Sequence, residues 1–175
     1  ITGITSDNPG EFTYEWIRND GESDSVITGA GTATYTLSAN DVGKTVKLRV
    51  SSANYSGKLT SEGVSVGKAT PSNLEFTSSE TATYNGNTVT VVATGANENT
   101  NAITYSIESG TGEATVNADS GEITVTKAGT FTVTATKAAS TTYSGQSAQQ
   151  TLTVNKGTPD DFRSEERRVG KEGRS

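Results

Sequence analysis

Residues 130–136 read Thr-Phe-Thr-Val-Thr-Ala-Thr and alternate strictly between a polar and an apolar side chain. Successive side chains of a β-strand point to opposite faces of a sheet, so this stretch predicts a strand with one buried and one solvated face. Residues 44–50, Lys-Thr-Val-Lys-Leu-Arg-Val, alternate in the same way, with their cations predicted to face water. Thr is β-branched and suits the outer face of a strand. The two stretches indicate an all-β chain.

Shorter apolar stretches of the same kind lie on both sides, separated by turns rich in Gly, Asn and Asp. Many short strands with frequent turn signals are typical of β-sandwiches, so we predict two thin sandwiches and no substantial helix. In the first half the predicted strands or strand fragments cover residues 12–16, 26–27, 35–37, 44–50 and 64–66, of which 26–27 is predicted to be a short buried pair. In the second half they cover residues 74–76, 88–92, 103–107, 123–125, 130–136 and 152–154.

The boundary between the two halves is marked by a recurring hexapeptide. Residues 66–71 read Val-Gly-Lys-Ala-Thr-Pro, and residues 154–159 read Val-Asn-Lys-Gly-Thr-Pro, so that Lys68 and Lys156 are 88 positions apart. A fixed period of one domain length indicates a tandem array. We therefore predict one domain over residues 1–67, a second over 68–157, and over 158–175 the start of a next repeat followed by a non-native tail.

The composition restricts the chemistry that the chain can perform. It contains no His, no Cys and no Met, which removes the usual general base, the thiolate nucleophile and the imidazole and thiolate metal ligands. The net charge of −6 argues against a nucleic-acid partner, and no apolar run is long enough for direct membrane insertion. We predict a protein that is not an enzyme, with no catalytic, cofactor-binding or metal-binding residues and no cofactor.

Several of these motifs carry a resemblance to known domains. Residues 14–18, 35–37, 41–45 and 53–57 resemble bacterial immunoglobulin-like repeats of large surface proteins, whose core Trp matches Trp16. Residues 103–107, 119–123 and 128–133 are similar to another bacterial immunoglobulin-like or cadherin-like repeat. The resemblance implies two tandem immunoglobulin-like β-sandwiches from extracellular stalks or adhesins, with Trp16 buried between the sheets of the first domain, and it carries no catalytic residues.

The last 13 residues belong to a different pattern. Residues 163–175 hold five cations and three anions, although the chain as a whole is acidic. They resemble the translated read-through of a sequencing adapter, and we leave them out of the prediction of fold and function.

Two sets of residues are candidates for ligand contact. Asp119-Ser120-Gly121-Glu122 has the carboxylates that Ca²⁺ prefers, but its spacing favours a β-turn between two strands. Tyr55, Tyr84 and Tyr143 each adjoin a Gly-containing turn, and a partly exposed Tyr there could contact a ligand.

The function predicted from these observations is mechanical. We expect a non-enzymatic spacer or stalk repeat of a bacterial cell-surface or secreted protein, located at the cell surface or cell wall, whose partners are neighbouring immunoglobulin-like repeats of the same chain. The alternative is a glycan- or protein-binding adhesin module, with a host glycan or protein as its partner. Aromatic side chains clustered and exposed on one face would favour that alternative.

Overall fold

The alternating stretches form strands throughout the computed structural model, which describes residues 8–158. The chain divides into two compact units, unit 1 (Ile1–Ala69) and unit 2 (Thr70–Ser175). Strands, turns and irregular loops make up these residues apart from one 3-10 turn at Ala39–Asp41, and the all-β prediction is confirmed. The predictions made for residues 159–175 lie outside the described residues.

The strands of unit 1 are β1 (Phe12–Asn19), β2 (Asp24–Val26), β3 (Thr45–Ser52), β4 (Lys58–Thr60) and β5 (Val64–Ser65). They form one antiparallel sheet in the order β2-β1-β3-β4, with β5 also paired to β3. Because both β4 and β5 pair with β3, at its two ends, they act as one interrupted edge strand.

The two faces of this sheet follow the predicted alternation. Trp16 lies opposite Leu48 on the apolar face, and Glu15 lies opposite Arg49 on the charged face. Ile17 is the exception, because it shares the charged face and yet is fully buried.

Segment 27–42, which contains no strand, supplies the contacts to Trp16 that a second sheet would make. Trp16 Nε1 donates a hydrogen bond to the carbonyl of Thr32 at 2.9 Å, and its ring lies 5.5 Å from that of Tyr35. Residues 8–69 contain one sheet, so the prediction that Trp16 is buried between two sheets is wrong: the side chain is half-buried. The strand predicted at 35–37 is also absent, because side-chain bonds to Asp41 hold this part of the chain in place of a strand ladder.

The buried pair predicted at residues 26–27 is wrong as well. Val26 is 56% exposed and Ile27 is half-buried. Val26 lies on β2, a three-residue strand at the edge of the sheet, where the sheet has no further strand to cover it.

Unit 2 contains two larger sheets that enclose an apolar core. Its strands are β6 (Leu74–Phe76), β7 (Thr81–Thr83), β8 (Val89–Thr90), β9 (Ala93–Gly95), β10 (Ile103–Ser109), β11 (Glu113–Val116), β12 (Glu122–Lys127), β13 (Gly129–Lys137) and β14 (Gln146–Asn155). One large sheet has the order β10-β13-β14-β7, the other has the order β11-β12-β8, and β6 and β9 form a separate pair.

The core of unit 2 lies between these sheets, as the Thr-rich alternation predicts. Ile123 and Val125 of β12 pack in one buried cluster with Phe131 and Val133 of β13 and Leu152 of β14. Burial of several branched and aromatic side chains stabilises such a two-layer arrangement through the apolar area removed from water.

Candidate functional site

The three tyrosines predicted as ligand contacts occupy different places. Tyr55 is 52% exposed in the loop between β3 and β4 of unit 1. Tyr84 is 39% exposed directly after β7, and Tyr143 is half-buried in the loop between β13 and β14.

Tyr84 and Tyr143 lie at opposite ends of the same strand. The backbone N–H of Tyr84 donates to the carbonyl of Asn155, the last residue of β14, whereas Tyr143 precedes the first residue of that strand. A ten-residue strand spans about 30 Å. These two tyrosines therefore do not form a joint platform, and ligand contact by any of the three stays a prediction.

The carboxylate of Asp41 in unit 1 is fully buried, which distinguishes it from the other carboxylates of the described residues. Its Oδ1 accepts from Arg18, with Nε at 2.7 Å and Nη2 at 2.5 Å. Its Oδ2 accepts from the Tyr35 hydroxyl at 2.8 Å and from the N–H and the hydroxyl of Ser38 at 2.6 and 2.9 Å. We call these four residues the Asp41 centre.

The Asp41 centre stabilises the ionised form of a buried carboxylate. Burial by itself raises the pKa of Asp41, but the donors from Ser38, Arg18 and Tyr35 outweigh it and bring the pKa to about 2. The carboxylate is thus ionised at neutral pH, and both of its oxygens are occupied by hydrogen bonds. Because Arg18 belongs to β1 and Tyr35 and Ser38 to segment 27–42, the centre fastens that segment to the sheet.

Sequence reasoning used Asp41 only as part of the 41–45 motif and missed this role. The available signal is the Ser-x-x-Asp spacing of Ser38 and Asp41, which is a capping-box pattern at the start of a helical turn. The contribution of Arg18, 23 residues away, has no local signal.

Residues 119–122, weighed above as a calcium loop, form the turn that the spacing favoured. The Asn117 side chain accepts from the backbone N–H groups of Asp119 and Ser120, and Gly121 has a φ of +70°, which suits glycine. The Glu122 carboxylate accepts from the hydroxyl of Thr88 at 2.8 Å. Within residues 8–158, no group of three or more acidic, His or Cys side chains is placed to hold a metal ion.

In the described residues, the two copies of the recurring hexapeptide begin at equivalent places, at the end of the final strand of each unit. Val66 follows β5 directly, and it exchanges backbone hydrogen bonds with Lys44 and Gly43, just before β3. Val154, the last residue but one of β14, is paired with Gly129 at the start of β13. In both units the motif thus begins where the final strand leaves the sheet, beside a glycine with positive φ.

No helix among residues 8–158 has the length and the apolar character required to cross a membrane.

Comparison with known proteins gives structural likenesses only. No family model matches the sequence, and neither does any curated protein. One similar solved structure is a SusE-like surface located polysaccharide binding protein from the Bacteroides thetaiotaomicron heparin utilisation locus, with a TM-score of 0.40 and 19% identity over 83% of this chain and 29% of that chain. Another is human CDH23 EC21-23, with a TM-score of 0.42 and 14% identity over 86% of this chain and 59% of that chain.

The chain spans less than two thirds of each of these proteins. Both TM-scores lie below 0.5, so neither likeness assigns a function to this chain, and the resemblance to bacterial immunoglobulin-like repeats stays a prediction.

Proposed function

We propose that this chain is a stretch of a non-enzymatic spacer, in which immunoglobulin-like modules follow one another along a bacterial cell-surface or secreted protein. The modules would cover residues 1–67 and 68–157, and a further repeat would begin at residue 158. The proposed location is extracellular, at the cell surface or cell wall, and the proposed partners are the neighbouring modules.

One observation carries this proposal, namely the equivalent position of the two hexapeptide copies. A motif that recurs after 88 residues and begins at the end of the final strand of each unit supports a joint between repeated modules at that place.

The sheets of the two units add support because they have the same central connectivity. In unit 1, β3 pairs antiparallel with β1 on one side and with β5 on the other. In unit 2, β13 pairs antiparallel with β10 and with the final strand, β14. Trp16 and Tyr105 occupy comparable places on β1 and β10, each opposite an apolar residue of the central strand.

A spacer works by setting a distance. Modules that fold separately and contact mainly their neighbours hold a terminal domain away from the surface in proportion to their number. The sequence of the solvent-exposed faces is then weakly constrained, which is consistent with the abundance of Thr on them.

Surface display tests this proposal. One, two or four copies of the chain would be placed between a bacterial surface anchor and a peptide epitope, and binding of a bulky antibody to the epitope would be measured. We expect accessibility to rise with copy number and to be matched by an unrelated rigid scaffold of equal length. Accessibility that is independent of copy number would overturn the proposal.

A matched pair of substitutions tests whether the gain in accessibility depends on the folded state of the spacer. Phe131→Ala, which opens a cavity in the core of unit 2, should reduce the gain in accessibility per copy. Thr124→Ala, at an exposed position on β12 in the other large sheet of unit 2, should leave the gain unchanged.

A glycan- or protein-binding module is the second candidate, favoured by the half-exposed rings of Tyr55 and Tyr84. Its test is a glycan array and a panel of extracellular-matrix proteins probed with the chain, followed by Tyr55→Ala and Tyr84→Ala. Specific binding that either substitution abolishes would establish this candidate, and binding that survives both would leave the tyrosines without this role.

A further inference from the structure

One strand pair of unit 2 differs from all others in the described residues because it is parallel. Strand β7 pairs with β14 through Thr81 and Thr153, Ala82 and Val154, and Thr83 and Asn155. Backbone hydrogen bonds flank the pair, from Thr153 to the carbonyl of Glu80 and from Tyr84 to the carbonyl of Asn155, both at 2.8 Å.

The positions of these strands in the chain determine how tension loads the pair. Strand β7 lies near the start of unit 2, and β14 is its final strand. Tension on the two ends of the unit pulls β7 towards its own N-terminus and β14 towards its C-terminus. Since the strands run in the same direction, these forces are opposed along the strand axis, and the hydrogen bonds between them are loaded together in shear.

A side chain extends the pairing beyond the strand itself. Gln150 of β14 is 7% exposed, and its Nε2 donates to the carbonyls of Ser78 at 3.3 Å and Ser79 at 2.8 Å, just before β7 begins. Removing this donor would leave the two carbonyls without that partner at a partly buried position, at a cost in free energy.

Strand β6 lies between the start of unit 2 and this pair. It has three residues and pairs with β9, which is not a terminal strand. Tension therefore acts on β6 before it reaches β7, and we expect β6 to detach first.

We propose that the parallel β7–β14 pair, fastened by Gln150, is the element of unit 2 that resists tension along the chain. The usefulness of such an element rests on the proposed spacer function, whereas the resistance itself is a property of unit 2 that can be measured separately.

Single-molecule force spectroscopy on the full chain tests this directly. The chain has no Cys, so paired cysteines give defined attachment points. Thr70→Cys with Thr158→Cys loads the pair in shear, and Thr83→Cys with Asn155→Cys pulls apart two directly paired residues and opens it bond by bond; all four positions are exposed. We expect the rupture force in the first geometry to be about twofold higher or more. Equal forces in the two geometries would overturn the proposal.

Substitutions then assign the resistance to the pair. Gln150→Leu should lower the shear force, and Gln149→Leu, at the exposed neighbouring position, should not. Val125→Ala lowers the equilibrium stability of the core but lies on β12, outside the pair, so it should leave the shear force nearly unchanged. A loss with Val125→Ala as large as that with Gln150→Leu would contradict the proposal. If the force experiment fails, the display experiment still tests the spacer function. If the display experiment fails, the measured resistance of unit 2 is unaffected.

Discussion

The two units reach a stable sheet by different means. Of the fourteen buried hydrophobic residues in the described part of the chain, eleven lie in unit 2 and three in unit 1, namely Ile17, Val46 and Val50. Unit 2 encloses its apolar side chains between two sheets, and unit 1 covers one face of a single sheet with a segment that has no strand. A thin apolar layer therefore has to be supplemented by polar contacts that fix its covering segment.

The Asp41 centre supplies this supplement in unit 1. The Arg18–Asp41 ion pair joins β1 to segment 27–42, and three further hydrogen bonds, donated by Tyr35 and Ser38 of the same segment, hold the fully buried carboxylate. The buried polar residues of unit 2 are Asn99, Gln150 and Lys137, and the two amides donate to backbone carbonyls. Apolar burial therefore dominates in unit 2, whereas in unit 1 a fully buried carboxylate holds the covering segment.

The exposed surface reflects the same difference. Five of the seven large hydrophobic side chains that are exposed in the described residues belong to unit 1, and two belong to unit 2. Leu59 and Val64 lie on the apolar face of the unit 1 sheet, opposite Val50 and Val46. This face is covered less completely than the core of unit 2.

The largest expected effect is that of Phe131→Ala. This ring is 1% exposed in the core of unit 2, and its truncation should cost about 3–5 kcal/mol of unfolding free energy. Because Trp16 is the only Trp, denaturation followed by Trp fluorescence reports unit 1, and far-UV circular dichroism reports both units. We expect only the transition of unit 2 to move. A shift in the fluorescence midpoint would show that the units do not unfold separately.

Asp41→Asn should be the largest single-site effect in unit 1. It removes the charge that pairs with Arg18, whose side chain is 20% exposed, so the cost should be about 2–3 kcal/mol, below that of a fully buried pair. The fluorescence transition should shift, and the transition of unit 2 should not. Asp20→Asn, in an exposed turn of the same unit, is the control. An equal response to both substitutions would show that the Asp41 centre has no special role.

Sequence reasoning was sound where one local pattern determines the result. The alternation at 130–136 and 44–50 identified β13 and β3 with their buried faces, because the period of two fixes which side chains point inward. The turn at 119–122 followed from its local composition. In each case no distant residue was needed.

The same reasoning failed where distant contacts decide the structure. Residues 35–37 look like a strand, but Tyr35 bonds to Asp41 and stacks against Trp16, so the segment covers a sheet instead of joining one. Trp16 was predicted to be buried because core Trp residues are common in sandwiches, and its half-buried state depends on the missing second sheet. The parallel pairing of β7, a three-residue strand, likewise has no signature in its own sequence.

Acid should destabilise unit 1 more than unit 2. The pKa of Asp41 is about 2 in the folded protein against 3.8 as its ordinary value. A depressed pKa means that its contribution, about 2 kcal/mol, is complete above pH 4 and is lost as the pH falls towards 2. Unit 1 should lose more stability than unit 2 over this range, measured by denaturation at pH 5 and pH 2.5. Asp41→Asn should remove this part of the acid sensitivity; an unchanged pH profile in that variant would contradict the assignment.

The smallest effects come from deleting one hydroxyl in each unit. Tyr35→Phe keeps the ring beside Trp16 but removes one donor to Asp41, whose carboxylate retains its bonds to Arg18 and Ser38, so the cost should be about 1 kcal/mol. Tyr105→Phe removes the acceptor of the backbone N–H of Ala93, at 3.1 Å in unit 2, and should cost a similar amount. We expect Tyr35→Phe to move the fluorescence transition alone and Tyr105→Phe to move the other. If Tyr35→Phe had no effect while Asp41→Asn remained costly, Arg18 and Ser38 would by themselves fasten segment 27–42 to the sheet.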